Sequence, residues 1–357
     1  MVFIVVLLNT ENKQKNGKFN CDMGGYMKNN ANKIDIKQYI TQDEQISSLI
    51  RKTVYKAPIG KGEVFSLKLY PGVEIWTFDL DVTGMNFSAL ENKRSLMLNY
   101  CFSGRYEMQL PDNRYIYASS GTLCIDQTPP FGRTIVSIGK YTGIEISVNL
   151  DLMGQHPSTA WMECGIDLNF LENSLKQTGG SHFAKVTTDY DHMIRILGKH
   201  INLADWEIEK YRFYVLCLLW KLQNENCDNI PYNPVFLTTG QRAVVTRICD
   251  LLTQDLSKRY IINNLAKTEG ISAASIKKHF ALVYGKPISA YLKEKRVEKA
   301  KKLLIQSKLS IGEIAGSVGY NNQSKFAAMF REKTSVTPTE YRRLYKNKDI
   351  INTKEDY

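Results

Sequence analysis

Apolar positions recur along this chain in two rhythms, and one gives way to the other near residue 150. Before that point the runs are short and alternate. Residues 64–70 alternate and stop at Pro71-Gly72, and 73–78 follow. Then come 96–102 and 105–110, a turn at Pro111-Asp112-Asn113, and 115–117, 121–125, 134–138 and 143–148. Short runs separated by Gly, Pro and Asn predict an antiparallel β-sandwich or β-barrel over about 45–150. A barrel of that size has an interior that can hold a small ligand. Beyond 150 the period is helical: short helices over 151–175, one helix over 188–202 and a stronger one over 205–224. In the last, Tyr211, Val215, Leu218 and Leu222 fall on one face, and Trp206, Tyr214 and Leu219 widen it. That face either covers its own β-domain or pairs with a second chain. Residues 225–236, with two prolines and several turn formers, read as a linker.

The last third carries one pattern twice. Its first copy has Ile262, Leu265-Ala266, Gly270, Ile276, Phe280, Pro287 and Tyr291. The second has Ile311, Ile314-Ala315, Gly319, Phe326, Phe330, Pro338 and Tyr341, 49 to 51 residues later. Each copy reads as a short helix, a glycine turn and a second helix, the helix-turn-helix pattern whose second helix lies in the major groove of DNA. Gly270 suits the left-handed residue that ends a helix, and Ser272 is placed to cap the next one. Ile276 and Phe280 then point inward. Ala273, Ala274, Ser275, Lys277, Lys278 and His279 face away, as do Asn321, Asn322, Gln323, Ser324, Lys325, Ala327 and Ala328 in the second copy. Asn and Gln can pair with adenine, and Lys reaches guanine or phosphate. Each of these side chains can also be an ordinary solvated position. Residues 289–306 read as one unbroken helix between the copies. Such a rod would fix the separation of two reading helices that enter one face of DNA about one turn, ~34 Å, apart.

Charge sharpens this picture. Residues 233–357 hold 23 Lys and Arg against 11 Asp and Glu, whereas the rest of the chain holds 24 against 25. The formal charge of +11 therefore belongs to the segment with the repeat, a signature of phosphate-backbone binding. The seven cysteines are scattered, with no CxxC pair, and read as reduced thiols of a cytoplasmic protein rather than a disulfide framework or a zinc site. Residues 1–8 are apolar but too short to span a bilayer. Residues 9–33 are polar and lack a core-forming pattern. Gly24-Gly25 ahead of Met27 can be encoded as a purine-rich ribosome-binding sequence. Residues 1–33 are thus either a flexible arm or contain an upstream mis-assigned start, with 1–26 not translated.

The stretch 245–345 resembles the DNA-binding domain of the AraC/XylS family of bacterial transcription regulators. Leu265-Ala266, Ser272, Ile276, Phe280, residues 285–287, Tyr291-Leu292, residues 296–300 and Leu303-Leu304 carry the likeness in the first half. Residues 311–315 and 318–320, Gln323-Ser324, Phe326, Phe330 and residues 337–342 carry it in the second. The resemblance implies base-reading positions at Ala274, Lys277 and Lys278, and at Gln323, Ser324, Ala327 and Ala328. It also implies double-stranded DNA and RNA polymerase as partners. Ser335 stands where the family usually has a glycine, and Ala327-Ala328 replaces a pair that often carries an arginine. Arg296 is similar to the family's linker-helix arginine, with an internal salt bridge and a phosphate contact equally open as its role. Such regulators often join this module to a cupin-like β-barrel that binds an effector and to a helical pair that dimerises.

These readings give an α+β multidomain chain. Residues 34–224 form a cupin-like barrel or sandwich with a dimerisation segment at about 188–224, 225–236 a linker, 237–346 an all-α tandem helix-turn-helix domain and 347–357 a polar tail. The expected function is a sequence-specific, effector-responsive activator. The alternative is a regulator whose front domain only dimerises or binds a protein partner. Trp76, Tyr100, Tyr106, Tyr115 and Tyr117 are candidates for an effector pocket, although alternation equally makes them sheet packing. Tyr211, Val215, Leu218 and Leu222 are candidates for a homodimer face. No HxH or His/Glu cluster lies among the strands, so neither a metal centre nor another cofactor is expected. No nucleophile elbow, P-loop, HExxH or dinucleotide fingerprint points to an enzyme, and Asp79 and Asp81 read as a strand-end turn.

Overall fold

The alternating runs become antiparallel strands. In the computed structural model these are β1 (Ile4–Leu7), β2 (Lys33–Ile34), β3 (Ile40–Gln45), β4 (Ile50–Ala57), β5 (Gly60–Tyr70), β6 (Val73–Val82), β7 (Asn86–Ala89), β8 (Ser95–Ser103), β9 (Arg105–Gln109) and β10 (Arg114–Ser119). They continue as β11 (Thr122–Gln127), β12 (Arg133–Ile135), β13 (Lys140–Asn149), β14 (Ser181–Lys185) and β15 (Leu237–Thr238). The structure describes residues 4–7, 33–34, 39–57, 60–82, 86–89, 94–110, 112–127, 133–135, 140–156, 158–177, 181–186, 188–198, 207–224 and 235–352. The chain separates between Thr239 and Gly240 into two compact units.

In the first unit the described strands form two sheets. One runs β15-β10-β9-β12-β7-β1-β2 and the other β14-β11-β8-β13-β6-β5-β4-β3. Side chains alternate across a strand, so the second sheet has two differently used faces. Val64, Leu80, Cys101, Cys124 and Tyr141 meet Tyr106, Met108, Leu110, Ile116 and Ala118 of the first sheet in a core between the sheets. Leu67, Leu69, Ile75, Leu96, Leu98, Ile144 and Ile146 face the other way, into a core closed by helices. Those helices are α1 (Leu150–Gln155), α2 (Thr159–Glu163), α3 (Leu168–Gln177), α4 (Thr188–Leu197) and α5 (Ile208–Asn224). They contribute Met153, Trp161, Leu175, Ile194, Val215 and Leu218 to that core.

The second unit is helical: α6 (Thr239–Gln254), α7 (Ile262–Glu269), α8 (Ala273–Tyr284), α9 (Ile288–Gln306), α10 (Ile311–Ser317), α11 (Gln323–Thr334) and α12 (Pro338–Asn352). The helix expected between the copies is α9, whose 19 residues make a rod of about 28 Å. Helix α12 continues past 346, where a polar tail was expected to begin.

Several elements were not anticipated. Strand β3 reads Ile-Thr-Gln-Asp-Glu-Gln and is exposed along all but its first residue, so no apolar alternation marks it. Strand β14 pairs with β11 through the register Cys124 to Phe183. Just past the expected linker, where the all-α domain was expected to begin at 237, Leu237 is fully buried and pairs with Tyr115 of β10 in the first unit. Linker residues 225–234 lie outside the described residues. So do residues 1–33 apart from Ile4–Leu7 and Lys33, and with them the start at Met27.

Candidate nucleic-acid interface

Each copy of the repeat builds its own small core, and that core decides which side of the reading helix is left over. In the first, Ile276 and Phe280 of α8 are fully buried, as are Leu265 and Ala266 of α7 nearly so. The Phe280 and Tyr284 rings lie 4.5 Å apart, and Tyr291 of α9 meets Phe280 edge-on at 5.3 Å. In the second, Phe326 and Phe330 of α11 are buried with Ile314 and Ala315 of α10 and Val297, Ala300 and Leu304 of α9. Here Tyr341 of α12 meets Phe330 edge-on at 5.4 Å. Tyr291 and Tyr341 thus do the same work fifty residues apart.

The turns match as well. Gly270 (φ +67°) and Gly319 (φ +81°) are left-handed and end the first helix of each copy. A Cβ at Gly319 would lie 2.7 Å from the Leu256 carbonyl and 2.8 Å from Arg296 Nη2, so a close approach adds to the backbone demand. Ser335 ends α11 at φ +64°, in the left-handed region that favours glycine. Ser272 caps α8 by accepting from Ser275 N at 3.0 Å. Asn322 caps α11 through its Oδ1, which accepts from Ser324 N at 2.8 Å and Lys325 N at 3.0 Å. Three expected DNA contacts, Ser272, Ser275 and Asn322, therefore use side-chain atoms to start the reading helices.

The remaining expected contacts fall on the outer side of α8 and α11. Ala274, Lys277 and Lys278 are exposed on α8, and Gln323, Ser324, Lys325 and Ala328 on α11, while Ala327 is half-buried. Gln323 turns its Oε1 toward Gly312 of α10. Neither reading helix has an acidic residue in its first turn, so nothing offsets the positive end of its dipole. Other lysines of this unit are neutralised: Lys286 by Glu294 (2.6 Å), Lys293 by Glu332 (2.6 Å) and Lys295 by Glu298 (2.9 Å). Among the described residues no acidic group pairs with Lys277, Lys278 or Lys325. His279 is half-buried, and burial together with the Lys278 charge pushes its pKa down, which favours the neutral ring.

Two arginines had no place in the sequence reading as a pair. Arg296 of α9 donates from Nε to Leu256 O and from Nη2 to Lys258 O, both at 3.0 Å. Arg342 of α12 donates from Nε to Leu304 O at 3.2 Å and from Nη2 to Leu309 O at 2.6 Å. In each copy, then, the helix after the reading helix sends an arginine back to carbonyls just ahead of the first helix, in the second copy one in the last turn of α9 and one in the loop that follows. Spacing gave no signal for this, since Arg296 lies five residues after Tyr291 and Arg342 directly after Tyr341, and nothing named the carbonyls as acceptors. Arg296 therefore makes hydrogen bonds to carbonyls, not the internal salt bridge that was one of its two expected roles.

Residues 265–344 match a helix-turn-helix domain family. The C-terminal segment is an AraC-type helix-turn-helix domain. An HTH-type transcriptional regulator from Pseudoalteromonas carrageenovora is 37% identical over 84 residues, 24% of this chain and 49% of that protein. The HTH-type transcriptional activator RhaR of Escherichia coli is 24% identical over 151 residues, 42% of this chain and 51% of that protein. The chain thus spans about half the length of the curated relatives it matches. Among solved structures, the C-terminal domain of the response regulator yesN from Fusobacterium nucleatum is 28% identical, covering 29% of this chain and 99% of that one, with a TM-score of 0.26.

The candidates in the first unit do not converge. Trp76 and Tyr106 face the core between the sheets, where Tyr106 meets Tyr141 edge-on at 6.3 Å. Tyr100 lies on the opposite face, beneath the helices, and donates to Asp191 at 2.5 Å. Tyr117 is buried and donates to Glu107 at 2.5 Å, while Tyr115 is half-buried on the strand that pairs with β15. Sheet alternation divides these rings among different faces, so they do not form the single pocket expected of them. Tyr211, Val215, Leu218 and Leu222 are buried in the helix-covered core of their own unit, so this stripe is not free to meet a second chain. The exposed apolar residues of α5 are Phe213 and Trp220, 61% and 49% accessible. Among the described residues no group of three or more His, Cys, Asp or Glu is placed to hold a metal, and no helix is long and apolar enough to cross a membrane. Cys101, Cys124, Cys164, Cys217 and Cys249 form no disulfide among the described residues.

Proposed function

We propose that this protein is a sequence-specific, effector-responsive transcription activator that reads two adjacent major-groove segments of double-stranded DNA. The observation that carries the reading is the pair of capped helices α8 and α11, each presenting an outer face whose lysines have no acidic partner among the described residues. The excess of basic residues over the same stretch of sequence supports it. In this reading Lys277, Lys278, Gln323 and Ser324 meet base edges, Ala274, Ala327 and Ala328 allow close approach or contact a thymine methyl, and Ser272, Ser275, Asn322 and Lys325 hold phosphates at the helix starts. The alanine pair of α11 gives the second half-site fewer polar base contacts, so it relies more on DNA shape.

The segments divide as 34–224 for a cupin-like, effector-binding and dimerising domain, 225–236 for a linker and 237–346 for DNA. RNA polymerase is the partner at the promoter, and the cytoplasm the site of action. A homodimer belongs to the same reading, with apolar surface for it on the Phe213 and Trp220 side of α5. Effector binding shifts the population between two states by its differential affinity for them.

Lys277→Ala tests the reading. It is expected to lower preference for the selected operator over random DNA by about 1–3 kcal/mol, with a smaller loss on random DNA. Equal losses on both would make Lys277 a phosphate contact.

A further inference from the structure

One concavity of the first unit lies away from the core between the sheets. It has a volume of about 400 Å³, within the range of small-molecule sites. Two aromatic side chains, Phe65 and Phe102, line it together with three charged ones, Asp79, Lys140 and Arg195, whereas Phe78, also on the lining, packs its ring into the core between the sheets. Phe65 and Phe102 pack with the helix-covered core, so the concavity opens on that face of the eight-stranded sheet, beside the end of α4. A close approach shapes its wall. A Cβ at Gly198 would lie 2.3 Å from the Phe102 ring, so only glycine lets that ring sit against the end of α4.

The charges around it are unequally engaged. Arg195 donates from Nε to Asp191 at 2.6 Å, and its guanidinium lies 5.8 Å from the centre of the Phe102 ring. The Arg195 hydrogen bond holds the Asp191 carboxyl below its ordinary range, and the Tyr100 hydroxyl adds to the effect. The Asp191 carboxylate raises the Arg195 pKa, and the Tyr100 hydroxyl, which also engages the guanidinium, adds to the rise. Lys140 pairs with Asp79 Oδ2 at 2.7 Å, yet the lysine side chain is 59% accessible and has donors to spare. Thr142, also on the lining, is bonded to Ser103 through its hydroxyl at 2.7 Å. A guanidinium carries five N–H donors, so the surplus is still in donors: the remaining N–H groups of Arg195 and the remaining ammonium protons of Lys140, against one spare oxygen on Asp79. A planar guanidinium with donors to spare suits a carboxylate. The phenyl rings beside it suit an apolar body and would be poor company for a sugar or for a cation facing Arg195.

We propose that this concavity binds a small monocarboxylate with an apolar, ring-sized body, the carboxylate held by Arg195 and Lys140 and the body by Phe65 and Phe102. Its position separates it from the interior between the two sheets. The site is read from the first unit alone, and its part as the effector site rests on the regulator reading.

The test uses the full chain and 3-phenylpropanoate as probe, followed by calorimetry, with 3-phenylpropanamide as the neutral counterpart. Arg195→Gln and Lys140→Gln each remove one cation, and both side chains are largely accessible, so folding is expected to survive. Saturable one-to-one binding is expected, weakened about tenfold or more by the amide and by either variant. The site is overturned if the probe does not bind, if the amide binds as well as the carboxylate, or if both folded variants bind like the native chain. Affinity for DNA is measured on the same samples. Binding of the probe with no change in DNA affinity supports the site and removes its effector role. Loss of all DNA affinity overturns the regulator reading, and calorimetry still decides the site.

Discussion

Ser335 shows how much a single residue can reveal about a repeat. It ends α11 in the left-handed region, where the matching turn of the first copy, after α8, uses Gly285 at φ +72°. A side chain there costs about 1 kcal/mol relative to glycine. Ser335→Gly is therefore expected to raise the stability of the second unit by up to that amount, read as a higher midpoint in thermal or urea unfolding. A lower midpoint would show that the serine makes a compensating bond. Gly270 and Gly319 make a sharper pair. Both are left-handed, but a Cβ at Gly270 meets nothing within 4 Å, whereas at Gly319 it meets two carbonyls and a guanidinium. Gly270→Ala should cost about 1 kcal/mol, from the backbone alone. Gly319→Ala should cost clearly more, because Leu256, Ser257 and Arg296 must also move. Equal costs would mean that this loop yields easily.

At the level of elements, the sequence announced those whose pattern depends on burial. Strands β5, β6, β8 and β13 alternate because opposite faces enter two different cores. The cap of α8 and the turn at Gly270 were readable because few residue types suit those positions, whereas Asn322, the cap of α11, was read only as a DNA contact. Strand β3 was not readable, since its pairing is made by backbone and its side chains are exposed. The inward stripe of α5 was visible, but its destination was not: periodicity says that Tyr211 and Val215 are buried, not by what. The arginine clamps were likewise hidden, because their acceptors are backbone carbonyls, which every residue has. Arg296 gives a prediction at this scale. Its two charge-assisted bonds tie α9 to the loop before α7, so Arg296→Ala should destabilise the second unit by about 2–3 kcal/mol. The salt dependence of DNA binding by the folded variant should stay as in the native chain, whereas a phosphate contact would lower that slope by about one.

For the whole molecule, the uneven division of charge is the feature with the widest reach. A segment with 23 basic and 11 acidic residues is joined to one that is nearly balanced. DNA binding is accordingly expected to fall steeply and linearly with the logarithm of salt concentration. Electrostatics alone holds any sequence, however, and in the proposed reading it is the outer faces of α8 and α11 that choose among sequences. The most direct test of two-segment reading is therefore selection of bound sequences from random DNA by the full chain at near-physiological salt. Two conserved blocks with centres about one helical turn apart are the predicted result. No enrichment, or a single block with random sequence around it, would contradict tandem reading by α8 and α11.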